Sequence, residues 1–302
     1  EFLAALLNAQ PMGFYPPATL VRDAQRRGVE VLPPHVNLSE AKCVVEDGVV
    51  RMGIEYVTSV GEEDAKALVE ERGRGGPFLS VRDLAQRAPL RREGLQALIE
   101  SGACACFGEG ARPLIWEAGL APRSSSVPGS GGEARQLALP LDPTVETPEL
   151  PEPTDWERML SDYRTTSVSV GVHPMELLRT ELPETVLSSH DLSLALDRAQ
   201  VAVAGMVVAR QRPSTANGVV FMLLEDELGQ MNLIVPPQVY ERFRPVVRAE
   251  KLVLARGRFE RQGRNQNVLV REIETLAPLA RRLADVDRLG GSLPPAHHFG
   301  HR

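Results

Sequence analysis

The string Val57-Thr58-Ser59-Val60-Gly61, followed by Glu62-Glu63-Asp64-Ala65 and an apolar helical stripe, has the form of a tight turn opening a helix. Such a turn is chemically useful. The first N–H groups of a helix have no partner inside it and can face an anion, and a glycine admits close approach of a phosphate. Thr58, Ser59, Val60 and Gly61 are therefore candidates for a DNA-backbone contact, with Lys66 the nearest cation. The acids at 62–64 support a competing reading, a purely structural turn, because carboxylates stabilise a helix N-terminus without any ligand. Ser59 also stands where this helix-hairpin-helix pattern usually has its first glycine. A second copy around Pro89 to Gly102 keeps the helix and the closing Gly102 but lacks a Gly-x-Gly turn, and it reads as structural.

A second group of residues could hold nucleic acid further along. Arg210 and Arg212 flank one turn, and Arg256, Arg258, Arg261 and Arg264 cluster around a later one. Phosphate neutralisation needs cations at intervals, and base stacking needs exposed aromatics such as Phe221 or Phe259. Between Ala199 and Ala277 there are eleven Lys plus Arg against eight Asp plus Glu, a local excess of positive charge in a chain whose net charge is -6. The competing reading pairs these arginines with Glu225, Asp226, Glu227 and Glu260 on a solvated sheet face. Upstream, Gln136-Leu137-Ala138-Leu139-Pro140-Leu141 resembles the glutamine-plus-leucine peptides that dock into bacterial sliding clamps, with Gln136, Leu137, Leu139 and Leu141 as the docking residues.

Other chemistry is not visible. Cys43, Cys104 and Cys106 lack zinc spacing and read as reduced and structural, and His297, His298 and His301 lack a second ligand cluster, so no metal is assigned. There is no Walker glycine loop, no nucleophile elbow and no isolated aspartate pair on a strand. No catalytic residue is assigned in this chain.

These residues must be positioned by elements of two kinds. Up to about Gly119 the apolar spacing is helical, with expected helices at 17–27, 62–72, 80–86 and 91–101, interrupted by a hairpin at Asp47-Gly48. Residues 121–154 carry seven prolines between Pro122 and Pro153 and read as a flexible linker. From 199 to 277 the period becomes alternating, with strands expected at 201–210, 219–225, 231–235, 251–260 and 266–273 and one helix at 238–247. Three strands, a helix and two strands is the order of a five-stranded OB barrel. The expected fold class is therefore α+β and multidomain, a helical helix-hairpin-helix region, then a linker, then an OB-fold β-barrel. A short helical connector is expected at 155–198 and a tail at 278–302.

Composition limits the alternatives. With 302 residues, 43% hydrophobic and 25% charged, more than one core is possible and wholesale disorder is excluded. No stretch approaches the roughly 18 apolar residues of a membrane span, and a cytoplasmic location without membrane association is expected. The chain opens on Glu1 inside an amphipathic pattern, Phe2, Leu3, Leu6 and Leu7, as expected of a fragment of something longer.

LLNAQPMGFYPPATLVRDAQRRGVEV, GVHPMELLR and VAGMVVARQRPSTANGVVFMLLEDELGQMNLIV together resemble the C-terminal third of bacterial C-family DNA polymerases, within that family the error-prone DnaE-like paralogue. The resemblance implies that 1–35 is the end of the fingers, 36–120 a tandem helix-hairpin-helix domain and 199–277 an OB domain. It implies template-directed nucleotidyl transfer in translesion synthesis during DNA repair. The catalytic palm, with its Mg ions, would lie upstream and outside this chain, so the chain alone is expected to be inactive and to hold no cofactor. Primed and single-stranded DNA are the implied partners, and a sliding clamp and other mutagenesis proteins the possible protein partners. A protein-docking platform is the alternative function. Pro236 stands where related barrels often have a tryptophan.

Overall fold

A computed structural model describes residues 1–11, 15–108, 110–120, 152–263, 265–284, 293 and 296–299. The chain forms two compact units, one of 1–12, 28–154 and 164–170, the other of 13–27, 155–163 and 171–302. Helix α1 (Phe2–Asn8) belongs to the first and α2 (Pro17–Arg26) to the second.

In the first unit, β1 (Val31–Leu32) runs parallel to β3 (Val49–Arg51), which pairs antiparallel with β2 (Val44–Glu46). The expected Asp47-Gly48 turn closes that hairpin with both residues left-handed, φ 51° and 85°. Four helices follow, α3 (Glu62–Gly75), α4 (Val81–Arg87), α5 (Arg92–Glu100) and α6 (Ala111–Leu120). Helix α3 outlasts its expected end at Arg72 and runs through two glycines. The Arg87 guanidinium explains this, donating to the carbonyls of Glu71 at 3.3 Å and Gly76 at 2.9 Å and so satisfying the end of the helix from outside. The core of the unit gathers Ile54, Leu68, Phe78, Leu84, Leu98 and Ile99, all essentially inaccessible.

In the second unit, α7 (Asp155–Thr166) contributes its residues up to Tyr163. Then come α8 (Pro174–Arg179), β4 (Val186–Leu187) and α9 (Ser189–Leu194). The barrel strands are β5 (Gln200–Gln211), β6 (Val220–Glu225), β7 (Gln230–Val235), β8 (Leu252–Gln262) and β9 (Asn265–Thr275). β5, β6 and β7 form an antiparallel meander, β7 pairs parallel with β9, and β8 pairs antiparallel with both β9 and β5, which closes the barrel. Val203, Leu224, Leu233, Phe259 and Val268 fill its interior.

Three details depart from expectation. The single helix expected at 238–247 is two, α10 (Pro237–Arg242) and α11 (Arg244–Ala249), broken at Phe243. Pro245 has no N–H to continue the first helix and its ring would crowd the carbonyl four residues back. The segment expected to be a plain tail contains α12 (Ala277–Ala284) and β10 (His297–Phe299), the latter parallel to β5 at Ala209–Gln211. Finally, Asp226 and Glu227 ion-pair with Arg179 of α8 and Glu225 with Arg26 of α2, leaving only Glu260 among the expected acids paired with a barrel arginine.

The Glu225 neighbourhood makes the stability of this unit depend on pH. His173 caps α8, its Nδ1 accepting from the Met175 N–H at 3.1 Å, and its Nε2 lies 3.9 Å from Glu225, both side chains being buried. Burial, aided by Arg22, Arg26 and Arg179, pushes the imidazole down to about 3. Between its ordinary value and about 3 the unfolded chain binds a proton that the folded chain refuses, so stability falls as pH falls through that window. Burial also raises the Glu225 carboxyl, which opposes this at the acid end. A loss of about 1 kcal/mol between pH 7 and 5.5 is expected in urea unfolding, absent in His173→Asn, whose amide can still cap the helix. Equal pH slopes for parent and variant would sink this account.

Candidate nucleic-acid interface

The outer wall of the barrel carries a row of cross-strand neighbours. Gln211 faces Phe221, Phe221 faces Ile234, Ile234 faces Leu269, and Leu269 faces Arg258. Because directly paired residues project to the same side of a sheet, three partly exposed apolar groups lie between a glutamine and an arginine. The adjacent row is Leu223, Asn232, Asn267 and Glu260. Phe221 is 38% exposed although it is a large apolar residue in mid-strand, whereas Phe259 points inward and is fully buried, so only the former can stack on anything.

The arginines of the barrel have different fates. Arg210 is buried, its Nε donating to the Val247 carbonyl at 2.7 Å and its Nη2 to that of Glu250, so it fastens the end of α11 to β5. Burial lowers its guanidinium to about 10. Arg261 donates to the carbonyls of Ser193 and Ala195. Arg256 pairs with Glu274 at 2.8 Å, and Arg258 with Glu260 at 2.5 Å, on the exposed face. Such surface pairs are worth about 0–1 kcal/mol and are readily exchanged for a phosphate. Arg212 has no carboxylate partner among the described residues; it lies 4.4 Å over the Tyr240 ring, exposed, in the turn between β5 and β6. Arg264 lies outside the described residues, as do Gln136, Leu137, Leu139 and Leu141.

In the first unit, the turn at 57–61 precedes α3 as expected, with Ser59 left-handed at φ 65° and Val60 buried. Thr58 is occupied: its N–H donates to the Thr165 carbonyl at 2.6 Å and its hydroxyl to the same oxygen at 2.8 Å. Gly61 is in open space, where an added Cβ would meet only a carboxylate oxygen of Asp64 at 3.9 Å. Lys66 is neutralised by Glu62 at 2.9 Å and Glu63 at 3.3 Å, which raise its ammonium above the ordinary lysine value. The local field at this turn is negative.

The second hairpin differs. Between α4 and α5 the chain turns through 88–91, and Arg91 and Arg92 stand exposed at the start of α5, without an acidic partner among the described residues. Their signal in the sequence is electrostatic: two adjacent cations at a helix N-terminus oppose the helix dipole, a cost that folding does not require. A search keyed on Gly-x-Gly passes over them. The two hairpins pack through Gly94, whose Cβ position lies 3.0 Å from the Ser59 carbonyl oxygen.

Comparison with known proteins follows these two units. Residues 28–114 match the family model described as a helix-hairpin-helix motif, and 201–276 the model described as an OB-fold nucleic acid binding domain. Error-prone DNA polymerase of Anaeromyxobacter sp. (strain K) is 41% identical over 292 residues, 92% of this chain and 25% of that protein. The error-prone DNA polymerase of Sinorhizobium medicae (strain WSM419) is 37% identical over 329 residues, 98% of this chain and 29% of that protein. Over nearly its whole length this chain is similar to part of the error-prone DNA polymerases. It spans about a quarter of the length of those curated relatives. Among the described residues no group of three or more His, Cys, Asp or Glu is disposed to hold a metal ion, and no helix is long and apolar enough to cross a membrane.

Proposed function

We propose that this chain is the DNA-handling part of an error-prone DNA polymerase acting in translesion synthesis. The second hairpin grips the duplex backbone through Arg91 and Arg92, and the outer row of the barrel, flanked by Arg212 and Arg258, takes single-stranded template. The observation that carries this reading is the apolar row Phe221, Ile234 and Leu269 on the wall of a barrel whose family model is one of nucleic-acid binding. Single-stranded DNA offers apolar base faces beside an anionic backbone, and a row of this kind meets both. Phosphate contacts at the hairpin fix register without reading sequence. Nucleotidyl transfer, with its Mg ions, would be the work of a palm outside this chain, as the resemblance to C-family polymerases implies. Docking of a sliding clamp on Gln136, Leu137, Leu139 and Leu141, and contact with other mutagenesis proteins, belong to the same proposal.

Fluorescence anisotropy of the chain with primed and single-stranded DNA from 50 to 300 mM salt tests it. Arg91→Ala with Arg92→Ala should weaken binding of primed DNA about tenfold at low salt and reduce the logarithmic salt slope by roughly 1 to 2, since each neutralised phosphate contributes about 0.9. Lys66→Ala should change little. A parent chain that is folded by circular dichroism yet binds neither DNA at 50 mM salt would overturn the reading in favour of a protein-docking platform.

A further inference from the structure

Leu194 and Leu196 are 71% and 81% exposed, two residues apart, in the segment that leads from α9 into β5. Single exposed leucines are ordinary on protein surfaces, but these two sit on a fixed backbone. The Arg261 guanidinium donates to the carbonyls on either side of Leu194, those of Ser193 and Ala195. The Arg261 N–H donates to Asp197 Oδ1 at 2.9 Å, and the Arg198 N–H donates to the Phe259 carbonyl at 2.8 Å, continuing the β5–β8 ladder past its last strand residue. The segment therefore forms a rigid lip along the end of β8, beside the β8–β9 hairpin.

Its surroundings indicate what it meets. Arg198 is 83% exposed and only weakly engaged by Asp197, itself exposed, at 3.8 Å. Just beyond, Gln200 faces Arg258, the cation that ends the apolar row of the barrel wall. Apolar and cationic groups thus continue from the row onto the lip. Leucine is among the apolar side chains that insert against base steps and unstack them, and a lip already held in place loses little entropy on contact.

We propose that Leu194 and Leu196 form an apolar wedge that contacts an unpaired base of the DNA strand lying on the barrel, with Arg261 as the positioning residue that holds it. This rests on the DNA-handling reading of the barrel. The contact is apolar, so it adds affinity without releasing counterions.

The test uses the whole chain with primed DNA carrying a single-stranded overhang, with the matching blunt duplex, and with 2-aminopurine in the overhang. Leu194→Ser with Leu196→Ser should lower affinity for the overhang substrate about fivefold, leave the salt slope and the blunt-duplex affinity unchanged, and abolish the change in 2-aminopurine emission on binding. Arg261→Gln should reproduce the lost emission change with both leucines intact. Leu79→Ser, at an equally exposed leucine of the other unit, should have no effect. Parent-like affinity and emission in the double variant would overturn the wedge alone, as would an equal loss on blunt duplex. A folded parent that binds no DNA would overturn the underlying reading and the wedge with it.

Discussion

Gly257→Ala is expected to unfold the barrel unit under conditions where the parent is stable. An ideal Cβ at this position would lie 2.2 Å from the Leu269 carbonyl oxygen and 2.8 Å from its carbon. These are backbone atoms of the paired strand and cannot rotate away, so β8 and β9 would have to separate where the ladder already shifts register between Arg256 and Gly257. Overpacking of a side chain against side chains costs about 1–3 kcal/mol, and a clash with a paired backbone belongs above that range, at about 3 kcal/mol or more. Thermal unfolding followed by far-ultraviolet circular dichroism should show the barrel transition lowered by 10 °C or more. Gly61→Ala, where the space is open, is the control and should melt within a degree or two of the parent. A Gly257→Ala chain that melts like the parent would mean that the strands are farther apart than described. The same substitution removes the wall on which Leu269 and Arg258 stand, so loss of DNA binding should follow loss of structure.

The barrel was readable in the sequence because its signals are local. β6 alternates buried and exposed residues over Val220 to Leu224, and Asn217-Gly218 ahead of it adopts the left-handed pair of angles that its composition predicts. What was not readable depends on distant partners. β1 and β4 are two residues long and β10 three, too short for any period, and each exists only because a longer or better-paired strand offers it an edge. The break at Phe243 is legible in Pro245, although an apolar stripe of helical spacing runs across it.

For the candidate site the residue types were legible and their engagements were not. Nothing local to Arg261 says that the carbonyls of Ser193 and Ala195 claim its guanidinium, and nothing local to Thr58 says that Thr165 claims both its polar groups. Ile234 and Leu269 look like core residues in sequence, because alternation shows that a strand has two faces without showing which face a partner strand covers. The wall row emerges only when register aligns them with Phe221.

Arg210 separates the two kinds of arginine most sharply. Its guanidinium holds the carbonyls of Val247 and Glu250, the last turn of α11 and its cap, to β5 across an interval of nearly forty residues. Arg210→Met keeps much of the apolar stem but leaves these carbonyls without donors, and each buried group left unsatisfied costs about 1–3 kcal/mol. A loss of roughly 2–4 kcal/mol in urea unfolding is expected. The charge itself is held at a cost, since burial brings the guanidinium down to about 10, and a cation so enclosed cannot release a counterion when DNA binds. At conditions where the variant is still folded, its salt slope for single-stranded DNA should therefore equal that of the parent. Arg212→Ala should do the opposite, leaving stability within about 0.5 kcal/mol and lowering the slope by about 0.9, because that side chain lies exposed over Tyr240. If Arg210→Met were as stable as the parent and reduced the slope, the guanidinium would be facing DNA rather than α11, and the division between fastening and binding arginines would have to be redrawn.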